Sequence, residues 1–164
     1  MPALPAPVCC TVPSPLGPIT LAARGPALVG VWFDGQRHFP DLHHWRQDAA
    51  HAVLQQAAAQ LQEYFTGRRR SFDLPLDWSG ASAFAQRVWQ QLLRIAPGST
   101  SSYGAISAAI GQPGAVRAVG GAIGRNPLSI VVPCHRVLGA RGALTGYAGG
   151  LERKVALLQL EALP

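Results

Sequence analysis

Ile130-Val131-Val132-Pro133-Cys134-His135-Arg136-Val137 is the stretch around which the chain is read. It sets a cysteine beside a histidine, after an apolar run and a proline. The run reads as a short buried strand. Proline suits the first turn of a helix, where its missing N–H would go unsatisfied anyway. Cys134 is therefore expected at a helix start, which stabilises a thiolate, the reactive form of cysteine. Two readings stand at this point. One is a nucleophile with its base next door. The other is an ordinary buried cysteine, among the most buried residue types.

Upstream, Ser82 precedes a helical pattern in which Phe84, Val88, Leu92 and Ile95 share a face, stopped by Pro97-Gly98. A short helix is expected from Tyr103 to Ile110 and another from Ala115 to Gly124. The tight turn Gln112-Pro113-Gly114 joins them, the outline of a helix-turn-helix. The second helix has Val116, Val119 and Ile123 as an inward stripe. Arg117, Ala118, Gly121, Ala122 and Arg125 lie on its other side. Glycine and alanine there are poor choices for a surface helix, but they let another backbone come close. A reader of base edges in the major groove needs long polar side chains. This helix fits contact with a DNA backbone or minor groove better, and close helix–helix packing is the competing reading. Downstream, Gly139–Leu144 reads as a turn or small wing, and Thr145–Gly150 as a glycine-rich loop around Tyr147. The last helix, Leu151 to Leu160, reads as apolar nearly all round and so buried. Glu161 sits at its C-terminal end, where a carboxylate opposes the helix dipole. A residue placed against local preference calls for another reason.

The first half has a different texture. Val8–Val12, 18–23 and Ala27–Phe33 are short apolar runs, punctuated by Ser14-Pro15-Leu16-Gly17 and Arg24-Gly25-Pro26. They read as a three-stranded antiparallel meander. Residues 48–65 read as a helix, and Ser71–Leu76 as one more strand. Cys9-Cys10 read as small apolar residues of an edge strand. His38, His43, His44 and His51 have no metal-ligand spacing and read as surface residues. Composition changes at Asp77-Trp78-Ser79-Gly80, so two domains are expected, residues 1–79 and 80–164.

The chain of 164 residues is 48% hydrophobic and only 13% charged, which excludes a disordered protein. No apolar run is long enough to span a membrane, and the N-terminus lacks the pattern of a signal peptide. A cytoplasmic location is expected. Three cysteines cannot form a complete disulfide framework. The net charge of +6 is unevenly placed. Residues 1–80 hold six Arg against six acidic residues, whereas 81–164 hold eight basic residues against Glu152 and Glu161. The basic half points to a polyanion, most simply nucleic acid, with a solubilising surface as the alternative.

Taken in order, several motifs resemble the methylated-DNA–protein-cysteine methyltransferases, also called O6-alkylguanine-DNA alkyltransferases. They are Ser102-Tyr103-Gly104, Ala115-Val116-Arg117-Ala118-Val119-Gly120-Gly121, Arg125-Asn126-Pro127, Ile130–Val137, Gly146-Tyr147 and Gly149-Gly150-Leu151. The match covers about residues 81–161. The resemblance implies a ribonuclease-H-like α/β N-terminal domain and a mainly helical, winged helix-turn-helix C-terminal domain. It implies a protein that flips O6-alkylguanine out of double-stranded DNA and moves the alkyl group to its own cysteine, once and irreversibly, without a cofactor. Cys134 would be the acceptor. His135 would take its proton through a water, with Glu161 orienting the ring. Asn126 would hold the approach to the site. Tyr103 would support nucleotide rotation and supply a proton to the departing guanine. Tyr147, Val137 and Ser129 would line the pocket. Arg117 would plug the stack, beside Ala118, Gly120, Gly121 and Arg125 on the DNA face. Cys9-Cys10 do not reproduce the zinc ligands of some relatives, so no metal is expected. A monomer, with clustering on DNA and O4-alkylthymine repair as open points, completes the expectation. The alternative is a non-catalytic sensor of alkylated bases with the same fold. Such sensors lack the acceptor cysteine.

Overall fold

The computed structural model describes residues 3–163. The chain divides into two compact units, one ending at Asp77 and the other beginning at Trp78.

In the first unit, β1 (Val8–Val12), β2 (Ile19–Arg24) and β3 (Ala27–Phe33) form the antiparallel meander. Gly17 closes the first turn at φ 100°, a left-handed position that suits glycine, with its N–H on the Ser14 carbonyl at 3.1 Å. A two-residue strand, β4 (Arg46–Gln47), runs parallel to β1, so the sheet order is β3-β2-β1-β4. This corrects the edge position expected for Cys9 and Cys10. It also explains why α1 (Ala52–Phe65) starts later than the composition suggests. The chain is still paired with β1 at Gln47, and the Asp48 N–H bonds the Cys9 carbonyl at 2.9 Å. His51 then caps the helix, its Nδ1 accepting from the Val53 N–H at 3.2 Å.

Leu21, Val31, Phe33, Leu54 and Ala57 are fully buried. Gly30 is required, because a Cβ there would lie 1.9 Å from the Trp32 ring. Ser71–Leu76 is not a strand. Leu76 alone bridges Leu28. Pro75 has no N–H to offer a ladder, and the Gln60 side chain takes both the N–H and the carbonyl of Asp73, each at 2.9 Å.

In the second unit, α2 (Ala83–Leu92) is capped by Ser82 and α3 (Tyr103–Ala109) by Ser102, each hydroxyl accepting from the N–H three residues on. β5 (Ser101–Ser102) pairs in parallel with β6 (Val137–Leu138). Trp89 on α2 donates its indole N–H to the Ala122 carbonyl of α4 (Val116–Gly124) at 2.9 Å. The inward stripe of α4 is Val119, Ala122 and Ile123, whereas Val116 is 42% exposed, against expectation.

Two further expectations fail near the centre of this unit. Ile130–Val132 is buried but forms no strand. Ile130 sits at φ 71°, and the Val131 and Val132 N–H groups turn back to the Ser129 and Leu128 carbonyls, each at 2.8 Å. The expected helix at Cys134 is a single 3-10 turn, Cys134–Arg136. Three residues sum too few peptide dipoles to serve as a thiolate anchor. The last helix, α5 (Leu151–Ala162), is not buried all round either. It buries Lys154, Leu157 and Glu161 and leaves Leu151 47% exposed. Among the described residues, no helix is long and apolar enough to cross a membrane.

Candidate active site

Asn126 ends the turn after α4 and organises the irregular segment that leads to Cys134. Its Nδ2 donates to the Val132 carbonyl at 2.8 Å, and its Oδ1 accepts from the Leu128 N–H at 2.9 Å. The Cys134 N–H bonds the same Val132 carbonyl at 2.8 Å. One carbonyl thus ties Asn126 to the backbone of the cysteine. Ser129 is buried within this turn.

His135 is fully buried, and its Nε2 hydrogen-bonds Glu161 Oε1 on α5. Its Nδ1 is buried with no hydrogen-bond partner among the described residues. Glu161, 5% exposed, also meets the guanidinium of Arg136. Lys154, two helical turns before Glu161 on the same face of α5, is 0% exposed. Its ammonium donates to the Val137 carbonyl at 2.6 Å, Thr145 at 2.9 Å and Gly146 at 3.5 Å. It therefore fastens the glycine-rich loop to β6, with all three of its N–H donors used.

The electrostatics reflect this crowding. Burial pushes the Cys134 thiol up. The Asn126 side chain, the charge of Lys154, the cysteine's own N–H and the Tyr147 side chain oppose this in part, and the thiol stays above its ordinary value. Burial lowers His135, the Glu161 carboxylate opposes this, and Arg136 and Lys154 reinforce it. Burial tends to raise Glu161, but hydrogen bonds and charge from His135 and Arg136 outweigh it and hold the carboxyl low. Lys154 is lowered by burial, with Cys134 acting against the shift. Cys134 is followed in the chain by a histidine whose ring is held by a buried carboxylate, the residue types that activate cysteine in unrelated enzymes.

The remaining expected residues lie on α3 and along α4. Tyr103 is half-buried and its hydroxyl reaches the Gly146 carbonyl at 3.5 Å, one residue from Tyr147. On α4, Arg117 and Ala118 are exposed and Gly120 and Gly121 half-buried. A Cβ at Gly120 would come within 3.8 Å of the Tyr103 ring. Exposed Arg125 folds back so that its Nη1 bonds the Gly121 carbonyl at 3.2 Å. The sequence alone assigns Lys154 and Arg136 no role. The spacing of Lys154, Leu157 and Glu161 is the available signal, a buried stripe at helical period with a charge at each end.

Both units of the chain resemble known proteins. Residues 83–163 match the family model described as 6-O-methylguanine DNA methyltransferase, DNA binding domain. Residues 8–78 match the model of its ribonuclease-like domain. The chain is 50% identical over 151 residues to a methylated-DNA–protein-cysteine methyltransferase of Mycobacterium bovis, covering 92% of this chain and 90% of that protein. It is 45% identical to the constitutive enzyme of Bacillus subtilis, covering 93% and 94%. A crystal structure of Mycobacterium tuberculosis OGT in complex with DNA superposes with a TM-score of 0.85 at 49% identity, over 93% of this chain and 91% of that one. With both units matched and a buried cysteine–histidine–glutamate centre in the second, the chain belongs to the methylated-DNA–protein-cysteine methyltransferase family.

Proposed function

We propose that this protein repairs O6-alkylguanine in double-stranded DNA by moving the alkyl group to Cys134, once per molecule. The observation that carries the reading is the buried set around Cys134. The Asn126 and Tyr147 side chains and the charge of Lys154 favour its thiolate, and His135, its neighbour in the chain, is held by Glu161. In the transfer, the Cys134 thiol gives its proton through a water to His135 Nδ1. The sulfur attacks the alkyl carbon, forming an S–C bond as the C–O6 bond breaks. The freed electron pair stays on guanine, which takes a proton from the Tyr103 hydroxyl. The product is a thioether, which no group in the site can reverse.

The base must leave the stack to reach this centre, at a cost of about a few kcal/mol. We read α3 and α4 as the helix-turn-helix of a winged domain, and the N-terminal unit as ribonuclease-H-like. Ala118, Gly120, Gly121 and Arg125 face the minor groove, and Arg117 fills the gap left by the flipped base, a task suited to a planar, stackable cation. Tyr147, Val137 and Ser129 line the pocket. Three free cysteines fit a reducing compartment, the cytoplasm. The protein acts as a monomer.

Intact-mass spectrometry after incubation with O6-methylguanine duplex DNA tests this. One methyl group is expected on the protein, with guanine restored in the DNA. Tight binding with an unmodified protein would turn the reading to a sensor of alkylated bases.

A further inference from the structure

Arg136 is 5% exposed, and the transfer chemistry asks nothing of it at the reacting atoms. Its guanidinium nonetheless holds both oxygens of Glu161. Nε lies 2.9 Å from Oε1 and 2.9 Å from Oε2, and Nη2 lies 2.8 Å from Oε2. Nη1 donates to the Ile95 carbonyl at 2.6 Å, so the fork is itself fixed. One carboxylate thus serves two adjacent residues, His135 and Arg136. A carboxylate gripped by a guanidinium fork cannot rotate freely, and while ionised it only accepts hydrogen bonds. The proton in the His135–Glu161 hydrogen bond must then sit on Nε2. That leaves Nδ1, the buried ring nitrogen without a partner among the described residues, as the lone pair of the imidazole.

We propose that Arg136 is a positioning residue for the transfer: by holding Glu161 ionised and fixed, it locks His135 in the Nε2–H tautomer and keeps Nδ1 basic toward Cys134. This rests on the reading of His135 as the base. The charged groups acting on His135 are Glu161 and Lys154 from α5 and its neighbour Arg136, with Cys134 preceding it in the chain. The charge of Arg136 disfavours the protonated form of both His135 and Glu161. Removing it lets both bind protons at higher pH, so the acid limb of the rate profile moves up.

The test compares wild type with Arg136→Met and Arg136→Lys, each checked for a cooperative melt. Two rates are measured against pH: methyl transfer from O6-methylguanine duplex DNA, and alkylation of Cys134 by iodoacetamide, located by peptide mapping. In Arg136→Met the midpoint of the acid limb is expected to rise by about one pH unit. The plateau should fall about 10- to 100-fold, as when outer-shell partners of a working histidine are lost. Arg136→Lys keeps the charge without the fork and should move the midpoint by less than half as much. A purely structural role would lower the plateau and leave the midpoint in place, so an unmoved midpoint in folded Arg136→Met overturns the proposal. A second measurement needs no variant. Nitrogen-15 NMR of the wild-type His135 ring should show Nε2 protonated and Nδ1 bare at neutral pH. A proton on Nδ1 at that pH overturns the proposal even if Arg136→Met fails to fold. Should methyl transfer be absent throughout while the iodoacetamide midpoint still shifts, the role of Arg136 stands and the repair reading falls.

Discussion

Cys10 and Cys134 are both buried free thiols, and burial pushes both upward. What surrounds them differs in sign. Cys10 sits on a regular strand, where Cys9 and Asp48 push it further up. Cys134 sits at an irregular turn, where Asn126, Lys154, its own N–H and Tyr147 all push it down. In β1 the backbone is satisfied by its neighbours in the ladder, and side chains alternate between two faces. Cys9 joins Ala22 and Trp32, while Cys10 lines a cavity with Leu54 and Leu61 of α1. The turn from Asn126 to Val137 instead gathers polar side chains from α5 and the glycine-rich loop around one sulfur. The proposed difference in reactivity therefore lies in what surrounds each thiol. Being a buried cysteine decides nothing.

The contrast can be broken by making Cys134 more like Cys10. Lys154→Met removes a buried positive charge acting on the thiol and releases the Thr145–Gly146 loop. Transfer to Cys134 is expected to fall about 100-fold, the scale of losing a preorganised donor in a dry site. Single-turnover quench kinetics measures it, and a rate within threefold of wild type, on the order of only ~0.6 kcal/mol, would show that the charge is idle. A smaller effect sharpens the comparison from the DNA side. Arg117→Ala leaves everything around the sulfur intact. It should slow transfer from duplex DNA about tenfold and leave transfer from the free modified base unchanged. Equal loss on both substrates would deny Arg117 a role as plug.

The same contrast explains how much of the molecule is legible in its sequence. β1 and β3 have the bounds their residues predict, because alternation and turn residues act locally. Ser82 signals its helix for the same reason. Ser71–Leu76 misleads, since a side chain, Gln60, supplies the hydrogen bonds a strand partner would have supplied. Ile130 misleads because nothing local announces a β-branched residue in a left-handed turn. Its conformation costs about 1–3 kcal/mol and is held by burial and by the bonds of Asn126. Around the site, Cys134, His135 and Glu161 can be singled out, Glu161 by its conflict with the helix dipole. Lys154 escapes notice because charged residues are almost never fully buried unless paired. Its partners are backbone carbonyls, which leave no mark in composition.

The central claim, that these surroundings make one of three buried thiols the acceptor, has a direct measurement. Duplex DNA carrying O6-methylguanine with a deuterated methyl group is incubated with the wild-type protein and with Cys134→Ser, and the label is located by peptide mapping. The account predicts all of the label on Cys134, none on Cys9 or Cys10, and none anywhere in Cys134→Ser. Label on Cys9 or Cys10 in either protein would contradict it.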